Sequence, residues 1–184
     1  CLFEHEHTIY MNERDIVNLV QSQGFDVISV NPLDDSITRA NSLIIVARKA
    51  DTYTDPITEI HTGEAFTSLN SRILETVSKL DKWVVSLPKD SSIIGYGAGG
   101  RGVMTLAALT NYKRFNALVD SNYDSGVFLT PKTWLPVCGK NDLLKFKDGY
   151  CLIFSFGYAD EITKDLLAAG FLKSKILLLS DFYV

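Results

Sequence analysis

The chain has 184 residues, 46% of them hydrophobic and 22% charged, with a formal net charge of −4. That length holds one ordinary domain, or one domain plus a piece of another, and the apolar share is enough for a core. The negative balance argues against nucleic acid or an anionic membrane surface as partner, since each needs a positive face, and no apolar run approaches the ~20 residues that span a bilayer.

The chain opens on Phe3-Glu4-His5-Glu6-His7-Thr8-Ile9-Tyr10, which packs two carboxylates, two imidazoles and a phenol together. Imidazole titrates near neutrality and a neighbouring carboxylate fixes its tautomer, so acid/base work fits this cluster. A His-x-His metal pair would need a third ligand, and His61 is the only other histidine. A solvated polar terminus is the plain alternative. The start at Cys1, without a methionine and in mid-pattern, suggests a piece of a longer chain.

Asn12 is a good helix cap; Ile16, Val17, Leu19 and Val20 follow with helical spacing, and Gly24 ends the run. Residues 25–30 alternate as a strand does, 31–35 form a turn, and 42–47 are apolar enough for a second strand. Residues 51–62 are polar, contain Pro56, and read as a linker or an irregular crossing. A helix is expected from 63 to about 85, with Phe66, Leu69, Ile73, Leu74, Val77 and Leu80 on one face.

Residues 92–184 alternate strand and helix. Strands are expected at 93–96, 116–119, 151–154 and 176–179, with helices after Gly100 and over 160–169, the latter stopped by Gly170. This alternation predicts an α/β fold with a Rossmann-like parallel sheet. Cys1, Cys138 and Cys151 are too scattered for a metal pair or a disulfide framework and read as reduced thiols of a cytoplasmic protein; no signal-peptide pattern is present.

The most informative stretch is Ile93-Ile94-Gly95-Tyr96-Gly97-Ala98-Gly99-Gly100-Arg101-Gly102, a strand bending through glycines into a helix. Gly97, Gly99 and Gly102 fit G-x-G-x-x-G, and Asp120 stands where dinucleotide folds keep a ribose-binding acid. Backbone N–H groups and the positive helix end converge there, which suits a phosphate. The turn reads as a nucleotide or nucleotide-sugar site, with a dinucleotide site or a structural turn as the alternatives. Arg101 could pair with a phosphate or stand as an ordinary exposed arginine.

Two motifs give the chain a family resemblance. Glu6-His7-Thr8-Ile9-Tyr10-Met11 is similar to the Glu-His-x-x-Tyr-Phe of S-adenosylmethionine-dependent nucleotide-sugar C-methyltransferases, and Tyr96-Gly97-Ala98-Gly99-Gly100-Arg101-Gly102 resembles their Tyr-Gly-Ala-x-x-Lys-Gly. Val119-Asp120-Ser121-Asn122 and Pro131-Lys132-Thr133-Trp134-Leu135-Pro136-Val137 follow in the family's order. Departures exist: Lys132 replaces a usual glycine, Tyr123-Asp124-Ser125 replaces the residues after Asp-x-Asn, and Glu4 replaces a tyrosine.

The resemblance implies that residues 1–50 are the closing helix and strand pair of a methyltransferase domain. It implies that 51–90 are a linker and long helix, and 91–184 a Rossmann-like nucleotide-sugar-binding domain. It assigns His7, Glu6 and Tyr10 to catalysis and Tyr96, Gly97, Gly99, Arg101, Asp120, Asn122 and Thr133 to the nucleotide-sugar, with no metal. S-adenosylmethionine would be bound mainly by a preceding domain, and zinc would belong to an N-terminal module upstream. The chemistry implied is methyl transfer to a nucleotide-linked keto-deoxyhexose, at carbon or, in a related version, at oxygen. An NAD(P)-binding oxidoreductase fragment and a non-catalytic nucleotide-binding module are the competing readings.

Overall fold

The structure, a computed structural model, describes residues 11, 13–33, 43–51, 64–123 and 127–184. The chain divides into two compact units between residues 65 and 66.

In the smaller unit, helix α1 (Glu13–Ser22) carries Glu13 and Asp15 in its first turn, where acidic groups complement the positive helix end. Gly24 ends it at φ +80°, a conformation only glycine adopts without strain. Strands β1 (Phe25–Pro32) and β2 (Leu43–Lys49) pair antiparallel, from Phe25 opposite Lys49 to Pro32 opposite Leu43, with a bulge between Val27 and Ser29. Ile28, Ile44 and Val46 are exposed on this hairpin and α1 buries no residue. The helix and strand pair expected from the sequence are therefore present.

Helix α2 (Glu64–Ser86) belongs to the larger unit from Phe66 on. Leu80 and Val84 are wholly buried, with Ile73, Val77 and Trp83 packed beside them at helical spacing. Leu74, expected on the same face, is instead 61% exposed, because adjacent residues on a helix point about 100° apart.

A six-stranded sheet follows. Its strands are β3 (Ile93–Tyr96), β4 (Ala117–Val119), β5 (Phe128–Leu129), β6 (Pro136–Cys138), β7 (Tyr150–Ile153) and β8 (Ile176–Leu178), in the spatial order β5-β6-β4-β3-β7-β8. All neighbours run parallel except β5, which is antiparallel at the edge. The α/β parallel sheet expected from the sequence is thus formed. Strands β5 and β6 are additions to that expectation. They span two and three residues, and β6 starts on a proline, so neither carries the apolar alternation that marks a strand.

Helices α3 (Gly100–Ala108) and α4 (Ala159–Ala168) link strands of the sheet. One core packs Leu80, Leu106, Leu118, Leu152 and Phe154 between the sheet, α2 and α3; the other packs Ile94, Tyr96, Ile153, Ile162 and Leu166 against α4. Successive residues of β3 point to opposite cores, as the two-residue strand period demands, and all four are buried. Gly170, at φ +94°, stops the last helix as expected.

Strand β3 sits where the order of strand addition reverses. From it the chain crosses through α3 to β4 on one side, while β7 lies on the other. Ligands of open α/β sheets bind outside the strand ends at such a reversal.

Candidate functional site

The glycine turn occupies that position. Gly97 leaves β3 at φ +105°, and its N–H donates to the Val119 carbonyl at 2.8 Å. Gly102 is required for a different reason: a Cβ there would overlap the Gly97 carbonyl oxygen, so only glycine lets α3 approach the turn. Gly99 occupies the N-cap position; having no side chain, it leaves the helix amides uncapped, and a Cβ there would meet nothing within 4 Å. Its carbonyl accepts the first helical bond, from Val103 N–H at 3.1 Å. The uncapped helix start is an anion-binding arrangement.

Asp120 follows β4 and ties the turn together. One carboxylate oxygen accepts from Ala98 N–H at 2.8 Å and the other from Asn122 N–H at 3.0 Å. Arg101 folds against the β7 side of the opening. Its guanidinium donates to the Phe154 carbonyl at 3.2 Å and lies 4.5 Å from the centre of the Phe156 ring.

Two adjoining cavities open here. One, of about 230 Å³, is bounded by the glycine turn, Arg101, Phe154 and Ser155. The second, of about 350 Å³, is bounded by Tyr96, Asn122, Lys140, Tyr158 and Glu161. Gly97, Asp120 and Ser155 line both. A larger, more open trough of about 640 Å³ runs along α2, away from the strand ends.

Tyr96 is only 3% exposed, and among the described residues its hydroxyl has no hydrogen-bond partner. Burial pushes this phenol above its usual pKa; the Lys140 ammonium nearby opposes the shift without reversing it. Lys140 is ion-paired to Asp165 at 2.6 Å, and that hydrogen bond raises the lysine pKa.

Six of the residues expected at the site therefore line one or both cavities: Tyr96, Gly97, Gly99, Arg101, Asp120 and Asn122. Thr133 lines neither. It lies in the β5–β6 hairpin, where its hydroxyl and that of Thr130 share a 2.6 Å hydrogen bond. The same hairpin sends Lys132 Nζ to the carbonyl of Ala107 at the far end of α3, at 2.6 Å. Glu6, His7 and Tyr10 lie outside the described residues, as does His61.

Lys140, Ser155, Tyr158 and Glu161 were not among the expected residues. Lys140 and Ser155 come two residues after β6 and β7, and positions just past the ends of parallel strands are the signal that points to them. Among the described residues no group of three or more His, Cys, Asp or Glu could hold a metal, and Cys138 and Cys151 are free thiols. No described helix is long and apolar enough to cross a membrane.

No curated protein matches the chain. A family model described as the C-methyltransferase C-terminal domain matches residues 53–175, which takes in α2, the glycine turn and both cavities. This match covers well over half of the sequence and agrees with the motif order read from it, so the chain belongs to the C-methyltransferase C-terminal domain family.

Proposed function

We propose that this domain holds the acceptor of a methyltransferase, a nucleotide-linked keto-deoxyhexose, with its diphosphate at the start of α3. The observation that carries the reading is the uncapped helix terminus at Gly99, opening on a cavity that runs into a second, polar one at the strand reversal. Helix amides and the helix dipole suit a diphosphate, and the adjoining polar walls suit a nucleoside.

S-adenosylmethionine, which the family implies, supplies the methyl group when bound. It carries no phosphate; its one anionic group is a carboxylate beside its own ammonium, a weaker match to a helix start than a diphosphate. We therefore assign the described residues to the acceptor. Glu6 and His7 remain proposed, on family resemblance, as the pair that removes the acidic proton beside the sugar ketone, with Glu6 orienting the imidazole and Tyr10 the further catalytic residue the resemblance implies. Loss of that proton leaves an enolate, whose carbon would be the nucleophile for the methyl group of a bound sulfonium donor, the thioether being the leaving group.

The test uses Gly99→Asp. The site has room for the side chain, and an aspartate cap satisfies the helix amides, so thermal stability stays within about 0.5 kcal/mol of wild type or rises. Calorimetric titration with uridine, thymidine and guanosine diphosphate sugars should give binding to wild type and loss of it in the variant. Equal affinity in both proteins would remove the diphosphate from the start of α3.

A further inference from the structure

Resting on the nucleotide reading above, we propose that the α4-side cavity receives the nucleobase. Tyr96 and Lys140 then act as its specificity-determining donors and select a base with a ring carbonyl oxygen. With the diphosphate at the glycine turn, a ribose reaches the acid at the end of β4, as in dinucleotide folds. Asp120 lines both cavities, so a ribose there directs the base into the space between Asn122 and α4.

The Tyr96 ring packs with Ile94, Val119, Ile153 and Ile162, a place that phenylalanine would fill equally well. Core packing thus leaves the hydroxyl unexplained. A hydroxyl this deeply buried is normally satisfied, and no described residue satisfies this one; Tyr96 lines the cavity, and a small shift of its ring on ligand entry brings the hydroxyl to a ligand atom there.

Lys140 can only donate, and Asp165 takes one of its three N–H groups. Lys140 lines the same cavity without hydrogen-bonding the Tyr96 hydroxyl, so among the described residues neither its remaining N–H groups nor the Tyr96 O–H meets an acceptor beyond Asp165. Two donors on one wall match an exocyclic carbonyl, which uracil, thymine, cytosine and guanine possess and adenine lacks. The carboxylates of Glu161 and Asp120 on the same cavity are acceptors for base and ribose N–H and O–H groups.

The chain is titrated with UDP, CDP, GDP and ADP, and with pyrophosphate as a base-free probe, in wild type, Tyr96→Phe and Lys140→Met. The expected result is that at least one carbonyl-bearing nucleotide binds about tenfold or more tighter than ADP, UDP against GDP telling a pyrimidine from guanine. Each variant loses about tenfold for that nucleotide, the range of one to two hydrogen bonds, while pyrophosphate stays within about twofold. Tyr96→Phe melts no lower than wild type, which a purely structural role of the hydroxyl would not give. ADP binding as tightly as the others, or unchanged affinity in both variants, overturns the base assignment while nucleotide binding stands. Failure of every nucleotide and of pyrophosphate overturns both readings.

Discussion

Replacing Gly102 by alanine tests the close approach on which the site geometry depends. The new methyl group would overlap the Gly97 carbonyl oxygen and lie 3.1 Å from the Phe154 ring. Overpacking of this kind costs about 1–3 kcal/mol, and the upper end applies because the obstacle is backbone rather than a flexible side chain. Alanine returns up to about 1 kcal/mol of helix propensity, so the net loss is about 2 kcal/mol. For a chain of this size that lowers the midpoint by roughly 4–8 °C. Both tryptophans, Trp83 and Trp134, belong to the larger unit, so their fluorescence during heating reports that unit alone. Gly99→Ser is the control, since a side chain there meets nothing within 4 Å and serine is a good cap. Nucleotide affinity should fall in Gly102→Ala as the helix start moves off the turn. A Gly102→Ala protein that melts with wild type would refute the contact and the argument built on it.

Two further perturbations probe the scaffold. Asp81 on α2 accepts from the Thr110 and Asn111 amides, both at 2.9 Å; burial alone would raise its pKa, but these hydrogen bonds outweigh it and the net shift is downward. A depressed folded-state pKa means the stabilisation is complete above the ordinary value of 3.8 and fades as the pH falls through the lower, folded value. Asp81→Ala should cost about 1.5–3 kcal/mol in urea melts at neutral pH, with the gap to wild type closing in acid; a gap independent of pH would contradict the carboxylate's role. Trp134 sits at φ +56° and is 73% exposed, so Trp134→Gly relieves backbone strain while giving up little burial. A gain of about 0.5–1 kcal/mol is expected, read through Trp83, and a loss would mean that the indole packs on something.

The parts of this fold legible in the sequence are those where the backbone itself dictates a residue. Gly97 and Gly170 have positive φ, and Gly102 has no room for a side chain, so each leaves a mark that needs no knowledge of the tertiary structure. The fully buried β3 and the stripe Ile73–Val77–Leu80 were readable from apolar spacing for the same local reason. Lys140 and Glu161 were not, because only the strand order brings the ends of β6 and β7 to one opening. Arg101 was recognised by position, but its approach to Phe154 and Phe156 depends on a segment more than fifty residues on. Lys132, which stands where the resembling family has glycine, adopts φ +63°, and this gives the usual glycine a physical reason.

Helix α3 is pinned at both extremities: Gly102 presses its first turn onto the Gly97 carbonyl, and Lys132 grips its last turn through Ala107. A rod fastened in this way can neither slide nor pivot freely, so its amide hydrogens are aimed in advance at the place where we propose a diphosphate binds. Their alignment is met during folding instead of during capture, and the entropy of ordering is absent from the association step. If the proposed diphosphate binds there, the lysine on the edge hairpin would set its affinity from the opposite end of the helix it steadies.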